Sequence, residues 1–169
     1  MPALSSWHDY FLMVGGGAAA LTGLVFVAMT LHLEEITTNP VHRHRARTIL
    51  TGLTAVFIRC ALVLMGGQNA QAIAIELVGV LVVVEAILYR SIRLAAHDAD
   101  RWVFRRTIGS FACLLLEQAG AVVLFFGDTR GLYVVGLGMM SSFIFMVSGA
   151  WLLLVGVGAQ EAAEARSPS

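Results

Sequence analysis

TILTGLTAVFIRCALVLM, residues 48–65, carries one charged side chain, Arg59, among apolar, small and hydroxyl residues. About 20 such residues form a helix that crosses roughly 30 Å of hydrocarbon. A helix satisfies its own backbone groups there, which irregular chain in lipid cannot do. A cation near the middle of such a run is costly, from about 3 to more than 10 kcal/mol. It is kept only where it pairs, lines water or does work. The run therefore predicts both a membrane span and a protected polar site inside it.

Working outward, four further runs have the same character. They cover residues 11–33, 72–89, 107–126 and 132–157. The third span carries Glu76 and Glu85, the fourth Glu117 and Gln118, and the fifth no charge. Composition agrees: 58% of residues are hydrophobic, 13% are charged, and mean hydropathy is +0.80. A soluble domain carries roughly 25% charged residues. The expected fold is all-α, a polytopic membrane protein with five transmembrane helices. Residues 1–158 form one transmembrane domain and residues 159–169 a short, frayed cytoplasmic tail.

Residues 66–71 and 127–131 are tight turns rich in Gly, Asn and Asp, so the helices they join are antiparallel neighbours. The other two connections are longer and polar. They hold Arg43, Arg45 and Arg47, and Arg90, Arg93, Arg101, Arg105 and Arg106. The opposite side has only Arg130, so the positive-inside rule predicts an N-terminus outside and a C-terminus inside. Trp7 and Tyr10 are expected at the outer interface and Trp102 at the inner one. The first ten residues lack a basic region, so no cleavable signal is expected. The expected location is the cell (inner) membrane.

Small residues mark helix contacts in lipid. The first span offers Gly15, Ala19 and Gly23, with Gly16 and Ala20 beside them; the fifth offers Gly138, Ser142, Gly149 and Gly156. The charged positions share such faces: Gly52 and Ala55 before Arg59, Gly79 near Glu76, and Ser110, Cys113 and Gly120 around Glu117. These faces are expected to point at protein, and one of the seams at a second copy in a homo-oligomer.

Counting inward from the outer turns, Arg59 is nine residues deep, Glu76 eight and Glu117 twelve. At about 1.5 Å per residue these three lie within about 6 Å of one another in depth. Ser142 and Thr22 fall near the level of Glu117. A polar layer of Arg59, Glu76, Glu117, Ser142 and Thr22 is therefore expected. Arg59 satisfies one carboxylate, and the other is left to hold a proton, as in a relay. Glu85 lies half a turn round the helix from Glu76 and is expected to make a second contact, to Arg47, to Arg90 or to a partner.

Other chemistries lack their residues. Zero net charge offers no basic field for nucleic acid. No P-loop, dinucleotide fingerprint, HExxH or GxSxG pattern is present. Of the five histidines, His8, His32, His42, His44 and His97, none lies mid-span, so no haem or other cofactor is expected. His42 to Arg45 reads as a solvated loop meeting lipid headgroups rather than a metal site, and the cluster of His97, Asp98 and Asp100 reads as a solvated loop rather than a metal site. Cys60 and Cys113 read as packing residues.

The opening WHDYFLMVGGGAAALTGLVFVAMTL, from Trp7 to about Leu31, resembles a family of small bacterial integral membrane proteins. Its first span has an aromatic–acidic start, a Gly/Ala-rich turn and an ALTGL–FV core. The resemblance implies a membrane location and no particular activity. Two functions remain open. One is a channel- or transporter-like protein using the polar layer; the other is a membrane scaffold or accessory subunit, with a membrane protein partner, whose ion pair is structural. Lipid or quinone chemistry around Glu117 is a third reading.

Overall fold

The computed structural model describes residues 6–95 and 101–164. Those residues form helices α1 (His8–Leu31), α2 (Leu33–Thr38), α3 (Pro40–Leu64), α4 (Ala70–Ala95), α5 (Arg101–Phe125) and α6 (Gly131–Glu164), with no strand among them. Five of the six are long and apolar enough to cross a membrane; α2 is the exception. Their outer faces are apolar: Leu24, Phe26, Val83, Leu137 and Trp151 each expose more than half of their surface. A chain folded in water does not leave so continuous an apolar face uncovered.

The helices outrun the hydropathy segments. Residues 34–47, expected as a loop, are α2 and the first two turns of α3. Arg and His end an apolar window, but they do not end a helix. His42 is accordingly buried in a helix rather than solvated in a loop. At the other end, α6 continues to Glu164, through the stretch expected to fray. Residues 96–100, with His97, Asp98 and Asp100, lie outside the described residues, as does the side chain of Trp102.

The two short turns are where they were expected. Gly67 (φ 81°) and Gly127 (φ 88°) adopt the left-handed backbone that lets each helix stop and reverse. Asn69 Oδ1 then accepts from Ala72 N at 2.7 Å and caps the start of α4.

Helix α3 is central, in contact with α1, α2, α4 and α6; α6 in turn packs on α5 and α1, and α4 on α5. The long helices thus form a ring, α1–α3–α4–α5–α6, with an α3–α6 contact dividing it. The α5–α6 hairpin is closest-packed. A Cβ on Gly120 would stand 2.6 Å from Val135 N and 2.8 Å from Gly131 O, so the two backbones touch. On α1, only part of the expected seam is used. Gly15 presses on Cys60 of α3, whereas Gly16 and Gly23 have nothing within 4 Å of a Cβ position and Ala19 is exposed. Trp7 and Tyr10 pin α1 to α6: Trp7 stacks edge-on against Tyr133 at 4.7 Å, and Tyr10 Oη donates to Gly136 O at 2.7 Å.

Candidate functional site

The four-helix half of the ring, α3–α4–α5–α6, places α3 and α5 across from each other. Arg59 on α3 spans that gap and pairs through Nη1 with Glu117 Oε2 on α5. Its Nε donates to Ala55 O at 3.0 Å, one turn earlier on its own helix. From α6, Ser142 Oγ donates to Glu117 Oε1 at 3.0 Å. Arg59 and Glu117 are each 1% exposed and Ser142 is 6% exposed. Cation, anion and hydroxyl therefore satisfy one another in a site that water barely touches, the condition under which a buried pair persists.

Gly138 makes room for this. A Cβ there would lie 2.5 Å from Glu117 Cγ, 3.0 Å from Glu117 N and 3.1 Å from Cys113 O. Only a residue without a side chain lets the Glu117 stem lie against α6. Ser142, one turn on, then reaches the carboxylate.

The site has different surroundings on its two sides. Toward the short turns, Phe11, Leu77, Leu124, Leu132 and Met139 are buried together in a dry apolar core. Toward the arginine-rich end, a crevice of about 40 Å³ runs between α3, α4, α5 and α6. Most of its lining is apolar, from Val84, Leu88, Leu114, Phe145 and Met146; its polar members are Arg47, Thr48, Thr51, Ser110 and Ser142, and Arg59 lies at its depth. That volume has room for roughly three waters. Arg59 carries five donor hydrogens, of which the bonds described use Nε and Nη1.

The expected five-residue layer is therefore smaller. Arg59, Glu117 and Ser142 meet. Glu76 does not join them; Gln68 Nε2, in the turn before α4, donates to both its oxygens at 2.9 Å. Thr22 bonds back to Ala18 O at 2.7 Å, within its own helix. Gly79, near Glu76, faces open space rather than protein. With Glu76 removed, the pair is charge-balanced, and no spare carboxylate remains for the expected relay.

Glu85 belongs to a second polar contact. Gln118 Nε2 on α5 donates to Glu85 Oε2 at 3.0 Å, in place of the expected Arg47 or Arg90. Its other oxygen, Oε1, is buried without a hydrogen-bond partner. Both residues were visible as polar interruptions of apolar runs, and their pairing was the signal missed. Among the described residues no group of three or more His, Cys, Asp and Glu could hold a metal ion. Cys60 packs its sulfur 3.4 Å from that of Met139, as a packing residue does.

Five apolar crossings built around a buried Arg–Glu–Ser cluster define a multi-pass helical membrane protein. Comparison with protein-family models, curated proteins and solved structures found no significant match.

Proposed function

We propose that this protein is a small transporter-like membrane protein that admits an anion from its arginine-rich side. The observation that carries the reading is the one-sided crevice, which reaches Arg59 and Ser142 from one end and stops at an apolar core. Of the two charged side chains on its walls, Arg59 is balanced by Glu117, so Arg47 is the cation that favours an anion and opposes a cation. The closed half must open for a solute to cross, so the described form is one end state of an alternating-access cycle. The Arg count supports a crevice on the cytoplasmic face of a bacterial inner membrane, with the N-terminus outside. The α1 face of Gly16, Ala20 and Gly23, open to the surroundings, supports a homo-oligomer.

The test is flux in reconstituted vesicles, with small inorganic and organic anions set against cations. Wild type is expected to move an anion. Arg47→Gln and Thr51→Val are expected to slow that flux, and Glu76→Gln, at the far turn, to leave it alone. Absence of anion flux, or flux indifferent to Arg47 and Thr51, rejects the reading.

The mutual satisfaction of Arg59, Glu117 and Ser142 favours a second reading, a scaffold or accessory subunit whose ion pair sets helix register. That reading expects no flux and a copurifying membrane protein.

A further inference from the structure

We propose that the crevice takes a single-chain anionic amphiphile, an acyl-chain carboxylate that enters sideways from the bilayer between α3 and α4. The inference rests on the crevice being a ligand path, and it names the ligand class.

A second hollow carries it. On the outer surface, a groove of about 510 Å³ separates α3 from α4. Leu50, Ala55, Ile58, Val80 and Val83 make its walls apolar. Thr51, Val84 and Ile87 line both the groove and the crevice, so the two adjoin at those side chains. Along α3 the groove runs from Leu50 to Ile58, about 12 Å of helix. Its open space owes much to Gly79, where a Cβ would meet nothing within 4 Å.

Both hollows are lined mainly by apolar side chains, and the polar groups of the crevice gather toward Arg47. The groove end suits an acyl chain. Where it joins the crevice, Thr51 stands one turn from Arg47, with Thr48 between them in sequence and Ser110 across the gap. The Thr48 hydroxyl already donates to His44 O at 2.9 Å, so the Arg47 guanidinium and the Thr51 hydroxyl are the groups that fit an oxyanion. Glu85, the nearest carboxylate in sequence, is held by Gln118 of α5 and is not on the crevice wall. Size selects further. A space of about 40 Å³ accepts a carboxylate and a water or two, but not a glycerophosphate headgroup. The chain gains little on leaving lipid for an apolar groove, so recognition falls on the head.

The test uses a photoactivatable diazirine fatty acid in vesicles of zwitterionic phospholipid containing the full-length protein. Peptide mapping is expected to find the label concentrated beside Ile58, Val80 and Val83. An unlabelled fatty acid is expected to compete, and the alcohol of equal length to compete at least tenfold less well. Arg47→Gln is expected to weaken labelling about tenfold or more, the loss of one charge-assisted contact. Gly79→Leu fills the groove where nothing obstructs it, so labelling should vanish while the melting temperature holds. Label spread evenly over α1 and α6, equal competition by the alcohol, equal labelling by a diazirine phospholipid, or indifference to both substitutions overturns the proposal. The two proposals fail separately. Groove labelling without anion flux removes transport and keeps the ligand; flux without groove labelling does the reverse.

Discussion

Replacing Arg59 with Met leaves Glu117 with the Ser142 hydroxyl as its one remaining described donor, in a site where the carboxylate is 1% exposed. Removing one partner of a buried ion pair costs about 3–5 kcal/mol, because the other charge stays desolvated. At about 1.4 kcal/mol per factor of ten, that is a loss of roughly two to three and a half decades in the folding equilibrium. Glu117→Gln on the same background removes the stranded charge. The amide keeps the oxygen that accepts from Ser142, and it has the shape that Gly138 accommodates. The double variant is therefore expected to regain much of that loss and to stay about 1–3 kcal/mol below wild type, because the Gln amide hydrogens gain no acceptor where the guanidinium stood. Glu76→Gln on the Arg59→Met background is expected to rescue nothing, because Glu76 is held by Gln68. Equilibrium unfolding in mixed micelles, followed by far-ultraviolet circular dichroism, measures all four proteins. A loss below about 1 kcal/mol for Arg59→Met, or rescue by Glu76→Gln equal to that by Glu117→Gln, would refute the pairing.

The same assay checks three neighbouring positions. Gly138→Ala should cost about 1–3 kcal/mol, because its Cβ meets backbone atoms of Cys113 and Glu117 that cannot step aside. Ser142→Ala should cost about 0.6–1.7 kcal/mol, the range for an interhelical hydrogen bond in lipid. Glu85→Gln should change stability by less than about 1 kcal/mol, as its contact is an amide and one of its oxygens already lacks a partner. For orientation, a cysteine at Gln71 should react with an impermeant maleimide in intact cells, and one at Arg43 only after permeabilisation.

Much of this architecture follows from patterns readable along the chain. The five runs are apolar because lipid surrounds them, and their separation by charged or Gly-rich stretches locates the helices. Arg59, Glu117 and Ser142 were accessible to simple counting, since Ala55 and Gly138 mark faces where protein lies close. Glu76 escaped for a physical reason: depth along a helix says nothing about direction round it, and Gln68, in the adjoining turn, was near enough to claim it. Thr22 carried little information, because a threonine within a helix can satisfy itself on the carbonyl four residues back. The Glu85–Gln118 contact depends on how α4 slides against α5, which no single helix encodes. Hydropathy also cut the helices short, as it measures the hydrocarbon thickness rather than the length of regular backbone.

The Arg59–Glu117 pair joins residues 58 positions apart, and that separation has a consequence for biogenesis. At roughly 5–20 residues per second, Glu117 is synthesised about 3–12 s after Arg59. During that interval α3 carries a cation whose counterion does not yet exist. The backbone carbonyl of Ala55, one turn back on α3, is the partner that cation already has. The final hairpin supplies the missing anion, which makes α5–α6 the clasp that turns an inserted chain into a finished one. A chain cut short after α4 keeps its cation without its clasp, a mark by which a membrane protease could tell it from the complete protein.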